Sequence, residues 1–249
     1  MDVSFQLYSA RNFTPWDGVL DQLAALGYTQ VEGFGGVYED AGAFRAALDA
    51  RGLSMPSAHF FPLASFEDQF DKTIANAKAL GVKQLYCPAP DDAYRNGADA
   101  QAWRDLAGRL DVASKRVQDA GLRFGWHNHH WEFMPLASGE IPMALLLEGA
   151  PSMEWEADIA WIVRGGGAPL DWIAQHGPRM TAAHVKDIAP VGQCEDEDGW
   201  ADVGHGTMDW PAIMGALRGA GVSLFVMEHD NPNDLARFAR RSITNFRQF

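Results

Sequence analysis

Short apolar runs recur along the chain, and each is followed by a longer segment whose apolar positions return every three or four residues. The short runs predict strands over residues 3–9, 29–34, 54–60, 84–88, 122–128, 153–159, 180–186 and 223–229. The longer segments carry helix signals. Behind Thr14-Pro15, read as an N-cap and a first-turn proline, Trp16, Leu20, Leu23 and Leu26 share one face until Gly27 stops the helix. Ser65 is placed to cap another such run, with Phe66, Phe70, Ile74 and Ala77 on its inner face and Gly81 past its end. Trp103, Leu106, Leu110, Ala113 and Val117 form a stripe closed by Gly121. Asn231-Pro232 opens a last helix with Leu235, Phe238, Ser242 and Phe246 facing inward.

Eight strand–helix units in 249 residues give about 31 residues per unit, the size of one βα repeat. Strict alternation predicts a parallel sheet, and eight units predict closure into a (β/α)8 TIM barrel of the α/β class, with residues 1–249 as a single domain. The competing doubly wound sheet needs a dinucleotide fingerprint, and Gly33-Phe34-Gly35-Gly36 lacks its third glycine.

Composition narrows the partners. With 47% hydrophobic and 21% charged residues the chain can bury a large core, which excludes intrinsic disorder. A net charge of -13, from 20 Lys+Arg against 33 Asp+Glu, argues against nucleic-acid and acidic-membrane partners. Neutral small molecules and metal cations remain. Cys87 lies in an apolar run and Cys194 in an acidic loop, so a disulfide framework is not expected and both thiols read as free in a reducing compartment. The N-terminal residues show no signal-peptide pattern, and the apolar stretch at 143–147 is too short to span a bilayer. A soluble cytoplasmic protein is expected.

In a barrel of this kind, reacting groups sit where strands end and βα loops begin. His127 and His129 share a side of strand five, Glu156 and Asp158 a face of strand six, His184 and Lys186 a face of strand seven, and Glu228 ends strand eight. A lone His or Asp at such a place is ordinarily a loop cap. Four adjacent strand ends of this type call for another account, because buried carboxylates without a cation are costly. One divalent metal ion is the simplest compensation. Mixed Glu/Asp/His donors suit Mn2+ foremost, with Mg2+, Co2+ or Zn2+ as alternatives.

The segments His184-Val185-Lys186-Asp187 and His127-Asn128-His129, with Glu132-Phe133 behind the latter, and Glu228 resemble the sugar phosphate isomerase/epimerase family. That family belongs to the xylose-isomerase-like TIM barrels, with ketose 3-epimerases, inosose dehydratases and AP endonucleases as relatives. The resemblance covers nearly the whole chain. It implies one metal held by a Glu, an Asp, a His and a second Glu from strands five to eight. Asp158, His184 and Glu228 match the last three. Glu132 is taken as the first, with His127 as its substitute, since the ketose epimerases carry a Glu inside strand five where this chain has His127.

The implied activity is a divalent-metal-dependent isomerisation or epimerisation of a keto sugar or related polyol, by proton removal next to a metal-chelated carbonyl. Because strand five offers histidines, a lyase or hydrolase acting on a 3-keto-glycoside or inosose is the alternative. His127 and His129 are the acid/base candidates, Glu132 and Glu228 the carboxylates beside them, and Lys186 a cation for a developing oxyanion. On the family pattern His59 contacts a substrate hydroxyl. Trp126 and Trp161 are placed to stack on a sugar, with packing as the equal alternative, and His205 to line the pocket. Arg164 beside Gly165-Gly166-Gly167 lacks a second cation for a phosphate, so an unphosphorylated sugar or cyclitol is expected. The long connection 188–208, with its acidic run 195–198, reads as a lid or a subunit contact, which leaves a homodimer open. An AP endonuclease would need further metal-ligand clusters and a basic groove, and a silent barrel would not need four metal-competent strand ends.

Overall fold

In the computed structural model, which describes residues 2–95 and 97–249, parallel strands pair only with their sequence neighbours until the last meets the first. They are β1 (Ser4–Gln6), β2 (Gln30–Gly33), β3 (Ser54–His59), β4 (Gln84–Cys87), β5 (Arg123–His127), β6 (Glu154–Asp158), β7 (Met180–Val185) and β8 (Leu224–Met227). The seam is closed by Ser4 opposite Val226 and Phe5 opposite Met227. The principal helices are α1 (Trp16–Leu26), α2 (Ala41–Asp49), α3 (Phe70–Leu80), α4 (Ala100–Asp119), α5 (Pro142–Gly149), α6 (Pro169–His176), α7 (Trp210–Gly219) and α8 (Leu235–Phe246). This is the expected (β/α)8 barrel, and each expected strand run contains its observed strand.

The period of two explains both layers. Phe5, Val31, Leu85, Phe124 and Phe225 point outward to the helices, as in the contacts of Phe5 with Phe238, Phe66 with Phe124 and Phe225 with Phe246. Alternate residues point into the barrel, and there the chain is polar: Gln6, Glu32, Ser57, His59, His127, Glu156 and His184 are all buried.

Three helix starts differ from the expectation. Pro15 itself occupies the N-cap of α1 and no side chain caps it, so Thr14 lies one residue outside. Ser65 falls inside a 3-10 turn (Leu63–Phe66), its N–H donating to the Pro62 carbonyl, and α3 begins only at Phe70. Asp234, not Asn231, caps α8, accepting from the Arg237 N–H at 2.8 Å. The C-terminal stops hold: Gly27 and Gly81 are left-handed at φ 87° and 82°, where a Cβ would be strained.

The connection after β7 is tied down. Asp187–Ile188 pairs antiparallel with Trp200–Ala201, a ribbon the apolar pattern does not reveal. The Asp187 carboxylate collects the backbone N–H groups of Ile188, Gly204, Gly206 and Met208 and the Trp210 indole N–H. Glu195, Asp196 and Asp198 are exposed as a charge run should be, whereas Glu197 is buried against Arg237. Among the described residues, no helix is long and apolar enough to cross a membrane.

Candidate metal centre and cavity

His127 and Asp158 are the last residues of β5 and β6, His184 is the penultimate residue of β7, and Glu228 follows β8 directly. Strand register pairs Asp158 with His184, while His127 pairs with Glu156, two residues before Asp158, and His184 with Val226, two residues before Glu228. One donor atom from each of the four lies within 4.8 Å of the others, and all four residues are buried. His184 Nδ1 is 3.0 Å from Glu228 Oε2 and 3.9 Å from Asp158 Oδ2. Two carboxylates and two imidazoles converging in a buried site fit a divalent transition metal.

Neighbouring groups orient these donors. Asn128 clamps β5 to β6: its Oδ1 accepts from the Trp155 indole (2.8 Å) and the Asp158 N–H (3.0 Å), and its Nδ2 donates to the Asp158 carbonyl. Asp158 Oδ1 caps the short helix Ile159–Arg164 by accepting from the Trp161 N–H, which leaves Oδ2 for the cluster. Burial pushes the Asp158 carboxyl up to about 7 despite Lys186 nearby. For Glu228 burial acts in the same direction, but Lys186 and His184 outweigh it and hold the carboxyl well below the usual range.

Lys186 is wholly buried, with Nζ 2.5 Å from Asp230, 3.1 Å from Glu228 and 3.5 Å from Asp158. The faces of Trp161 and Trp200 close over it at 4.8 and 4.3 Å. Burial opposes its charge, yet the three carboxylates win and raise its pKa.

A second set shares two of the four donor residues: His59, His127, Glu156 and His184 also bring one donor atom each within 4.8 Å of the others. Glu156 Oε2 is 2.6 Å from His59 Nε2, 3.1 Å from His127 Nδ1 and 3.3 Å from His184 Nε2. Glu32 Oε1 is 2.7 Å from His184 Nε2 and 3.2 Å from His59 Nε2. Burial alone would lower His59, but Glu32 and Glu156 raise it to about 9. Among the described residues Glu156 Oε1 has no hydrogen-bond partner.

A cavity of about 690 Å3 opens beside the donors. His59, His127, His129, Glu228 and Asp230 form its polar floor, and Tyr8, Phe34, Tyr38, Phe60 and Phe61 form an aromatic wall. His129 stacks on Trp131 at 4.4 Å, and burial, with Lys186 behind it, keeps its imidazole neutral.

The expected residues therefore part into two groups. Asp158, His184, Glu228 and His127 come together, and His59 and His129 line the cavity. Glu132 does not join the cluster. It sits in the 3-10 turn Trp131–Phe133, where the chain has turned away from β5, and its carboxylate accepts from the Trp126 indole (3.1 Å) and the His129 N–H (2.9 Å). Burial raises that carboxyl to about 7. Lys186 is sealed beneath the two tryptophans and does not line the cavity. Trp126 is buried on the helix side, Trp161 covers Lys186, and His205 is exposed on the loop, so none of the three lines the cavity either. Arg164 stacks on Trp200 and donates to the Asp198 carbonyl. Glu32 and the aromatic wall escaped the sequence reading. The available signal was parity, since Glu32 stands on the barrel-facing side of β2 as Gln6 does on β1.

A family profile described as xylose isomerase-like TIM barrel matches residues 20–248. No match was found among curated proteins. Among solved structures, a sugar phosphate isomerase/epimerase from Parabacteroides distasonis is similar at 21% identity and TM-score 0.81, over 98% of this chain and 92% of that one. The probable 3-DHS dehydratase AsbF from Bacillus anthracis is similar at 12% identity and TM-score 0.76, over 99% of both chains. The IOLI protein with a bound zinc atom is similar at 14% identity and TM-score 0.74, over 100% of this chain and 96% of that one. At such identities the likeness is one of fold.

Proposed function

Since the chain belongs to the xylose isomerase-like TIM-barrel family, we propose that it is a divalent-metal-dependent isomerase or epimerase of a keto sugar or related cyclitol. The observation that carries this reading is the convergence of His127, Asp158, His184 and Glu228 beside a cavity of about 690 Å3, a size typical of small-molecule sites, into which His127 and Glu228 open. These four residues would hold the ion. When bound, it supplies a Lewis acid for a carbonyl oxygen and so acidifies the adjacent carbon. Mn2+, Co2+ and Zn2+ suit two imidazoles and two carboxylates better than Mg2+ does.

His129 carries the proton. Its ring lines the cavity, and among the described residues its buried Nδ1 has no hydrogen-bond partner and so is open to a substrate proton, while burial and Lys186 lower its pKa and keep the ring in its base form. Asp230 and Glu228 share the floor beside Lys186, which acts through them: Lys186 and His184 hold Glu228 as an anion, while burial pushes the Asp230 carboxyl up. His59, kept protonated by Glu32 and Glu156, orients a substrate hydroxyl as a donor.

A second reading, cleavage or dehydration of a 3-keto-glycoside or inosose, is favoured by the aromatic wall. Five rings beside a roomy cavity offer a stacking surface for a group attached to the sugar. Both readings share removal of a proton next to a carbonyl, so one experiment tests them. The Mn2+-loaded protein is incubated in deuterium oxide with a panel of keto sugars and 3-keto-glycosides and followed by proton NMR. Deuterium entering the carbon beside the carbonyl, with loss of that exchange after chelation, is expected. Absence of exchange across the panel would reject the proton-transfer function.

A further inference from the structure

We propose that Glu32 is a positioning residue that fixes the tautomer and ring orientation of His184, so that Nδ1 presents its lone pair to the ion. This rests on the metal reading above. His184 offers its two ring nitrogens to different surroundings. Nδ1 faces Glu228 and Asp158, the expected ligands, while Nε2 lies 2.7 Å from Glu32 Oε1 on the opposite side. Without an ion, both nitrogens have a carboxylate to donate to, Glu228 at Nδ1 (3.0 Å) and Glu32 at Nε2 (2.7 Å). An ion at Nδ1 would displace the proton there, and the one left on Nε2 has Glu32 as its acceptor. A histidine that holds a metal characteristically donates its other N–H to such a carboxylate.

Glu32 is itself immobilised from neighbouring strands. Gln6 on β1 donates from Nε2 to Glu32 Oε1 at 2.8 Å, and the Gln6 Oε1 is in turn occupied by the Tyr8 N–H. Ser57 on β3 donates its hydroxyl to Glu32 Oε2. The chain of contacts therefore runs from β1 and β3 through β2 to β7 across the barrel interior. All of Gln6, Glu32, Ser57 and His184 are buried, so water does not compete for these bonds. A ring flip at His184 would bring its carbon atoms against Glu32 and lose the charge-assisted bond. Glu156, at 3.1 Å from His127 Nδ1, stands in the same relation to the other imidazole of the set but is shared with His59.

The test combines metal affinity with a spectroscopic readout in the protein loaded with diamagnetic Zn2+. In protein labelled with 15N at histidine, with the His184 signals assigned by difference from His184→Gln, long-range proton–nitrogen correlation is expected to show His184 protonated at Nε2 with the ion on Nδ1. Glu32→Ala removes the acceptor and should weaken Mn2+ binding, measured by chelator competition on the folded protein, by roughly 10–100-fold and alter the His184 pattern. Glu32→Gln keeps an acceptor oxygen without the charge and should fall between Glu32→Ala and wild type. Wild-type affinity, within about twofold, in both variants would overturn the role of Glu32, even if their stability fell, because a merely structural residue moves stability alone. Should neither variant fold, the wild-type spectrum of the Zn2+-loaded protein decides, and a His184 that binds the ion through Nε2 overturns the proposal. Failure of the wild type to bind Mn2+, Co2+ or Zn2+ would instead overturn the metal reading itself.

Discussion

Replacing Lys186 by Met is the sharpest test of how the buried charges balance. The substitution keeps an apolar stem of similar length and deletes the ammonium that lies 2.5, 3.1 and 3.5 Å from Asp230, Glu228 and Asp158. At an effective dielectric of about 20, each attraction is on the order of 5–7 kcal/mol before the cost of taking the charges out of water. That cost cancels most of the gain, and breaking such a buried network from one side leaves a net loss of about 3–5 kcal/mol. For a chain of this size, 1 kcal/mol moves Tm by roughly 2–4 °C, so the metal-free variant should melt roughly 6–20 °C lower. A divalent ion at the same carboxylates replaces the lost charge. Saturating Mn2+ should therefore raise Tm more in Lys186→Met than in wild type, read by calorimetry with and without chelator. A metal-free variant that melts within about 2 °C of wild type, or one that gains no more from Mn2+, would refute the charge-balance reasoning.

Other outcomes follow from single contacts. His129→Ala should lose on the order of 10²–10⁴-fold in turnover while keeping its metal content, as expected of an acid/base group, and loss of the metal would assign it to the ligand set instead. Glu132→Gln should gain stability relative to wild type as pH rises from about 4.5 to about 7 and hold that gain above it. The reason is the sign: burial raises the Glu132 carboxyl to about 7, so the folded wild type must give up a favoured proton through that interval. Denaturant melts at pH 5 and pH 8 check this, and an equal difference at both would refute it. The Cys87 thiol is buried and pushed up to about 12, so iodoacetamide should modify Cys194 alone in the native protein and both cysteines after unfolding.

The barrel was legible because periodicity survives without partners. A run such as 180–186 shows its period-two parity and its Gly and Pro boundaries whatever it packs against. What stayed hidden depends on contacts distant in sequence. Asp187 reads as part of a catalytic motif, yet its carboxylate gathers N–H groups from residues up to Trp210 and shapes the loop. Glu132 offers the right chemistry at the wrong turn of the chain, and only the backbone path after His127 shows that it faces Trp126. Lys186 shares a strand face with His184, but the two indoles that seal it come from elsewhere in the sequence. Glu32 looks like an ordinary strand residue until β7 brings His184 against it.

Whether one ion sits among His127, Asp158, His184 and Glu228 is read from an anomalous-diffraction map, recorded at the absorption edge of Mn2+ from crystals of the loaded protein. One peak per chain is expected, bonded to those four side chains, with Glu132 still turned toward Trp126 and Glu32 still on His184 Nε2. A peak held by Glu132, or one lying among His59, Glu156 and Glu32, would rule this site out.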